Sequence, residues 1–465
     1  MARRRGRFLV LGLDCATPQL ILDSPAGDDL KHIRSLMGRG CYGRLTSSIP
    51  AITCPAWMCM ATSKDPGTLG LYGFRNRKNY SYTGLGIGTS LSVKEPTVWD
   101  LLGLRGLKSL VMAVPMTFPP KRLNGWLCSG FLAPDTNADF CYPKSFRDEL
   151  LAAAPNYQVD VRDFRTDDKQ SLLQQIYDMT AEHFRAFRHM MKTKDWDFMQ
   201  VVEMGPDRLY HAFWRYCSPD HRLYEPDGVF SSVIADYHRF LDGEIGSLLE
   251  LTSDEDAILV CSDHGAKTMV GGIAVNEWLI QRGYLALKPD APREAGTKVS
   301  PEIIDFARTR AWGDGGYYGR IMLNVEGREP EGLIPPEEYE SFRDRIKGEL
   351  EALGDDQGRP IGTRVFKPEE IYRQVNNIPP DLITYFGDLD WRSAGTLTGG
   401  RLHIFENDTG PDDANHAQEG LFVLAGPGSE GRGEVRGATL YDVAPTVLRH
   451  FGLPVPKDMI GEPLL

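Results

Sequence analysis

Apolar residues in this chain fall into short unbroken blocks, separated by long stretches of helical periodicity. The blocks are Phe8–Leu13, Ser109–Val114, Phe198–Glu203, Ala257–Ser262 and Leu421–Ala425. A run that is apolar at successive positions suits a strand covered on both faces, as in a parallel sheet. The clearest amphipathic pattern between them runs from about Gln170 to Thr193. Strands alternating with long helices predict βαβ units, hence an α/β fold with a parallel central sheet and helices on both faces. A further helix over about Asp442–His450 is predicted to pack on that sheet, with His450 at the surface or capping.

The segment from about Ile280 to Asn407 breaks this rhythm. It carries a Gly-rich aromatic patch, WGDGGYYGR at Trp312–Arg320, and a charged helical stretch at Pro336–Leu353. Both predict an insertion that caps the strand ends. The expected organisation is a catalytic core over residues 1–280, a cap over 281–406 and the rest of the core over 407–465. The patch reads either as a wall of the substrate site, with aromatics for stacking and Arg320 for an anion, or as a turn packing the cap onto the core.

Open parallel sheets bind ligands at the carboxyl ends of their strands. Asp14 follows the first strand, Asp207 follows Phe198–Glu203 closely, and Asp263-His264 follows Ala257–Ser262. Each aspartate taken singly is also a common turn former. Asp207 and His211 are spaced i, i+4, which puts both on one helix face; an Asp favouring the helix dipole beside a packed His fits the same spacing. Asp263-His264 leave a buried strand at Gly265, which suits a ligand pair or an ordinary turn. His416 sits in the acidic, turn-rich stretch NDTGPDDANHAQEG, pinned by the strand behind it. Alone, that stretch reads as solvated surface.

Together Asp14, Asp207, His211, Asp263, His264 and His416 offer three carboxylates and three imidazoles. Mixed nitrogen and oxygen donors suit zinc or manganese better than calcium or magnesium. Six donors exceed one tetrahedral site and suit two, whose ions about 4 Å apart would clamp a phosphoryl group. The stretch SIPAITCPAW then gains meaning. Pro55 suits the first turn of a helix predicted over Pro55–Thr62, leaving Thr53 and the Cys54 amide at an anion-binding N-terminus. Thr53 is then a metal-activated nucleophile or a helix cap. Cys54 is a small buried residue or a thiolate.

Composition narrows the partners. The chain has 465 residues, 42% apolar and 25% charged, as in a globular protein. A net charge of −12 excludes a nucleic-acid polymer as the main partner. It leaves room for a small anion, because metals invert the local field. Arg3, Arg4, Arg5 and Arg7 precede an apolar run that ends at Asp14, too short for a secretory or membrane segment. The eight cysteines form no C-x-x-C pair, so free thiols in the cytoplasm are expected, with no membrane association.

These motifs, in order, are GLDCATP, ITCPAW, GLYGFRNR, PDRLYHAFW, SDHG, NHAQEG and YDVAPTVLRHFGLPVPKDMIGEPL. The set resembles the alkaline phosphatase superfamily, in its type I phosphodiesterase/nucleotide pyrophosphatase branch and the group of predicted phosphohydrolases or phosphomutases there. The resemblance implies an alkaline-phosphatase-like three-layer sandwich with a mostly parallel central sheet and an inserted cap. It implies two divalent metal ions, zinc or else manganese. One would be held by Asp14, Thr53, Asp263 and His264, the other by Asp207, His211 and His416. Thr53 matches the residue that forms the covalent phospho-enzyme, and the Cys54 amide would hold a non-bridging oxygen. The implied substrate is a small phosphodiester or nucleotide pyrophosphate, with a monoesterase or phosphomutase as the alternative and a non-catalytic metal-binding scaffold disfavoured by the filled ligand positions.

Three departures matter. Cys15 stands where many relatives have glycine. The phosphate-binding asparagine of the nucleotide pyrophosphatases falls in register on Phe74, with Arg75, Asn76 and Arg77 beyond it. Asn76 could take that role, and Arg75 or Arg77 could bind two phosphate oxygens, favouring a monoester. The C-x-P-x-R of sulfatases is absent, since Cys54 begins CPAWM. Oligomeric state is not legible.

Overall fold

The structure is a computed structural model that describes residues 6–23 and 29–464. Arg3, Arg4 and Arg5 lie outside the described residues. Arg7 is paired with Asp256 at 2.8 Å and lies over the Trp196 ring.

A ten-stranded sheet forms the centre. Its middle is five parallel neighbours in the order Ala257–Cys261, Phe8–Leu13, Phe198–Glu203, Ser109–Val114 and Gly125–Ser129. The four of these predicted from apolar blocks are buried along their whole length, as such runs require. The predicted strand Leu421–Ala425 is the end of a longer one, Glu419–Ala425, which runs antiparallel to both neighbours, Ala257–Cys261 and Cys41–Thr46.

Helices cover the sheet in two separate sets. Lys31–Arg39, Lys169–Thr193, Gly205–Phe213 and Val233–Leu249 pack among themselves. Thr53–Thr62, Val98–Gly103 and Val443–His450 form the other set. The result is the three-layer arrangement with a mostly parallel centre. Among the described residues, no helix is long and apolar enough to cross a membrane.

A second hydrophobic core draws on residues between Ile273 and Leu397. It is built on a four-stranded antiparallel sheet (Ala311–Asp314, Gly319–Leu323, Leu382–Tyr385, Arg364–Phe366) and the helix Tyr339–Glu351. The strand Gly271–Ala274, which precedes residue 281, pairs with Trp391–Ala394 of this unit. A third cluster ties the unit to the core beside Thr53: Ala51, Ile52 and Tyr72 pack with Tyr318, Tyr372, Ile383 and Tyr385.

Close packing beneath the first strand decides where its end lies. A Cβ at Gly12 would stand 2.4 Å from the Trp57 ring and 2.9 Å from Val202. Overpacking of this kind costs about 1–3 kcal/mol. Gly12→Ala is therefore expected to lower the unfolding free energy by that much, seen as a lower denaturation midpoint at an unchanged m-value; an unaltered midpoint would show that the layer between sheet and helix yields freely.

Candidate metal centre

The first strand ends at Leu13, and the Asp14 amide extends its ladder by donating to the Glu203 carbonyl at 3.0 Å. The chain then turns sharply, with Cys15 at φ 64°. That left-handed conformation favours glycine. Cys15 adopts it fully buried, its amide 3.3 Å from Asp263 Oδ1 and its thiol 3.4 Å from the Gly265 carbonyl. Trp57 Nε1 donates to Asp14 Oδ2 at 2.7 Å, fixing the carboxylate from the helix below.

That helix spans Thr53–Thr62, two residues earlier than Pro55 predicted. The capping position is Ile52, which makes no side-chain cap bond, so Thr53 is the first helical residue and not the cap. Its Oγ1 lies 3.4 Å from His264 Nε2. Cys54 follows, buried, where helical N–H groups have no acceptor one turn back. Burial, and then the charges of Asp14 and Asp263, push its thiol well above the usual range, so it is a neutral thiol. Ala51, two residues before Thr53, donates its amide N–H to Tyr385 Oη at 2.8 Å.

Asp207 and His211 lie on the helix Gly205–Phe213, with His211 Nε2 3.3 Å from Asp207 Oδ1. Arg208 clamps the other oxygen, Nη1 to Asp207 Oδ2 at 2.7 Å, while gripping Asp160 at 2.7 and 2.8 Å. Past His264 the chain forms a strand, Gly265–Thr268, which pairs antiparallel with Ala414–Ala417 and sets Ala266 opposite His416. His416 is thus placed by a short strand of its own, not by a surface loop. The His264 and His416 rings stack at 3.9 Å.

All seven residues, Asp14, Thr53, Asp207, His211, Asp263, His264 and His416, meet in one buried space, none more than 3% exposed. His264 stands at the middle. Its Nε2 is 3.2 Å from Asp263 Oδ2 and 3.8 Å from Asp14 Oδ1. Its donor atoms also group with Asp207 and His416, so it borders both sets. His416 Nε2 is 3.3 Å from His211 Nε2 and 3.8 Å from Asp207 Oδ1.

This donor set fits cations. Each imidazole rests its Nδ1 on an oxygen: Asp412 Oδ1 for His211 at 2.7 Å, the Ala51 carbonyl for His416 at 2.9 Å, the Gly265 carbonyl for His264 at 3.2 Å. The Nδ1 hydrogens are thereby used, and the Nε2 atoms face inward toward one another and toward carboxylates. Asp14 Oδ1 and Asp263 Oδ2 are buried with no hydrogen-bond partner. Lone pairs opposed in this way, out of water, are costly unless a cation stands between them.

Protonation follows the same logic. Burial, then the Asp207 charge, raises Asp14 well above the usual carboxylate range, and burial with the Asp14 charge does the same to Asp263. Burial resists the charge on Asp207, but His211 and Arg208 hold its carboxyl well below that range. Burial presses His211 toward neutrality, yet Asp412 and Asp207 outweigh it and lift the imidazole to about 9. Burial lowers His264 to about 4 and, with the neighbouring His264 and His211, holds His416 low as well.

The residues expected to bind substrate fare differently. Arg75–Arg77 form a strand of a hairpin with Leu85–Ile87. Asn76 braces its own turn, accepting from the Tyr72 amide at 2.7 Å and donating to the Gly73 carbonyl at 3.0 Å. Arg77 is buried on Glu329 at 3.1 Å. Arg75 is exposed and lines a small cleft with Arg320. None of the three has a hydrogen bond or ion pair to the seven among the described residues. Sequence reasoning missed Asp412, Arg165 and Arg208. It named Tyr317 only as part of a patch; the ring stacks over His211 at 4.8 Å and His416 at 4.4 Å. Phe164 and Phe131 lie against the Arg208 guanidinium beside it.

The sequence model of the family described as type I phosphodiesterase / nucleotide pyrophosphatase matches residues 8–412. No curated protein matches the chain. Among solved structures, human ectonucleotide pyrophosphatase / phosphodiesterase 5 is similar at 13% identity and a TM-score of 0.57, over 97% of this chain and 96% of that one. An inactive variant of the murine counterpart, in complex with AMP, is similar at 13% identity and a TM-score of 0.56, over 97% and 96%. Phosphonoacetate hydrolase from Sinorhizobium meliloti 1021, in complex with phosphonoformate, gives 15% identity and a TM-score of 0.58 over 97% and 98%. At such identities the likeness is one of fold.

Loading the metal-free protein with zinc at pH 7 is expected to release protons. His211, lifted to about 9, is protonated at that pH and must lose its proton to become a ligand. Calorimetry in buffers of different ionisation enthalpy measures the release; a binding heat that does not depend on the buffer would contradict it.

Proposed function

The chain belongs to the type I phosphodiesterase / nucleotide pyrophosphatase family, and from that premise we propose that it cleaves phosphodiester or nucleotide-pyrophosphate bonds with two divalent metal ions and Thr53 as nucleophile. Membership makes it a phosphoric ester hydrolase. The observation that carries the finer reading is the position of Thr53 Oγ1, 3.4 Å from His264 Nε2 at the first residue of a helix, beside the unpartnered oxygens of Asp14 and Asp263.

Asp14, Thr53, Asp263 and His264 would hold one ion and Asp207, His211 and His416 the other, with zinc or manganese suited to the donors. Bound there, the ions would supply the positive charge that lowers the pKa of a hydroxyl and offsets charge on a leaving oxygen. The chain's own part is as follows. Thr53 Oγ1 attacks phosphorus, forming the Thr–O–P bond as the bond to the leaving group breaks, and water then attacks the phospho-threonine to release phosphate or a phosphomonoester. The N–H of Cys54, at the helix N-terminus, donates to a non-bridging oxygen. Trp57 keeps Asp14 in place through Oδ2 and leaves Oδ1 toward the centre. Arg208 does the same for Asp207.

A monoesterase or phosphomutase would use the same centre. The feature in its favour is exposed Arg75, which lines a cleft with Arg320; Arg320 is itself engaged by Asp314 at 3.0 Å and by the Arg75 carbonyl, so Arg75 is the guanidinium offered to a dianionic phosphate. The substrate is in either case a small phosphate ester. All eight cysteines are free thiols, seven of them buried, which suits a cytoplasmic location.

Thr53→Ala is expected to cut turnover of bis-p-nitrophenyl phosphate by about 10³-fold or more while ions remain bound. Metal analysis and initial rates check both halves, and undiminished turnover would remove Thr53 from the mechanism. Parallel rates on p-nitrophenyl phosphate decide between diester and monoester; a preference for the monoester of more than about tenfold would favour the second reading.

A further inference from the structure

His211 differs from the other two imidazoles in what stands behind it. His264 and His416 lean on backbone carbonyls. His211 alone leans on a carboxylate, Asp412 Oδ1, at 2.7 Å, and it is the shortest of the three contacts. The Asp412 side chain is fully buried, and its placement is fixed from several sides. The next residue, Asp413, donates its amide to the His211 carbonyl at 2.8 Å and binds Arg215 through its carboxylate at 2.6 and 2.9 Å. The second Asp412 oxygen accepts from Arg165 Nε and from Tyr317 Oη, both at 3.1 Å. Arg165 also reaches Tyr317 Oη at 2.7 Å.

We propose that Asp412 is a positioning residue of the metal centre: its charge holds the His211 Nδ1 hydrogen, keeps Nε2 directed inward, and sets how tightly the Asp207–His211–His416 group retains its ion. The proposal rests on the metal-centre reading above. A carboxylate behind a ligand imidazole fixes its tautomer and ring angle and makes the inward nitrogen a stronger donor. Loss of such a partner costs about 10–100-fold in metal affinity. The group that includes His264 and Asp14 has no such carboxylate behind its imidazole, so the two ions are held unequally sensitive to this one residue. Tyr317 and Arg165 serve the same end by neutralising and orienting the outer oxygen. Their reach also makes Asp412 the joint between the inserted region, the segment before helix Lys169–Thr193 and the centre. The competing role is that of a counter-ion for Arg165 alone, which would leave ion retention untouched.

The test uses the full chain as wild type, Asp412→Asn and Asp412→Ala, each loaded with zinc and equilibrated against chelators of graded strength. Ions per chain are counted, and the His211 Nδ1 proton is followed by NMR of ¹⁵N-histidine-labelled protein. Wild type is expected to keep two ions. Asp412→Asn, which preserves shape, should hold one of them about 10–100-fold more weakly and the other unchanged, with the Nδ1 proton moved upfield. Asp412→Ala should lose that ion first, to at least the same degree. Equal retention of both ions in all three proteins, with the Nδ1 proton unmoved in Asp412→Asn, would overturn the proposal and leave the metal-centre reading intact. A wild type that binds no zinc would overturn both.

Discussion

Three carboxylates buried within reach of one another repel, and the surrounding structure is organised around holding them there. Asp14, Asp207 and Asp263 follow three different strands and meet in a space almost closed to water. Two of them keep an oxygen without any partner. Holding like charges in a low-dielectric interior requires rigid supports, since each group would otherwise move away or take up a proton. The supports are evident: Trp57 below Asp14, Arg208 beside Asp207, the Cys15 amide on Asp263. The parallel sheet supplies the geometry, because adjacent strands end side by side.

Much of this was legible in the chain, for physical reasons that can be named. Strands buried on both faces are written as solid apolar runs, so four of the parallel strands and the residues that follow them could be read directly. Cys41–Thr46 was not legible. Its burial alternates, and Gly43 and Arg44 interrupt any apolar run. The pairing of Ala414–Ala417 with Gly265–Thr268 was likewise hidden, because ANHA carries no strand-like pattern and sits among turn formers. Asp412 was hidden for a different reason. It lies in a run with Asp408 and Asp413, and sequence alone cannot distinguish the aspartate that faces an imidazole from those that face arginines. The turn that Asn76 braces with its own side chain was not legible either. Spacing along the chain locates a residue but does not say which hydrogen bonds it has already made.

The unit built around the second hydrophobic core, Ile273–Leu397, reaches the candidate centre at two points. Tyr317 lies flat over two imidazoles and hydrogen-bonds to Asp412, and Tyr385 holds the Ala51 amide two residues before Thr53. The same unit therefore touches the histidine group from above and the loop before Thr53 from the side. Phe131 and Phe164 lie against the Arg208 guanidinium, which in turn holds Asp207.

The unequal backing of the imidazoles has a consequence for how such a protein can diverge. A backbone carbonyl is common to every amino acid, so the supports of His264 and His416 survive any substitution at Gly265 or Ala51 that spares the chain path. The support of His211 is encoded in a single codon. Substitution at position 412 can therefore change the backing of His211 by small steps while that of His264 and His416 stays fixed. The variable support is thereby already separated from the constant ones.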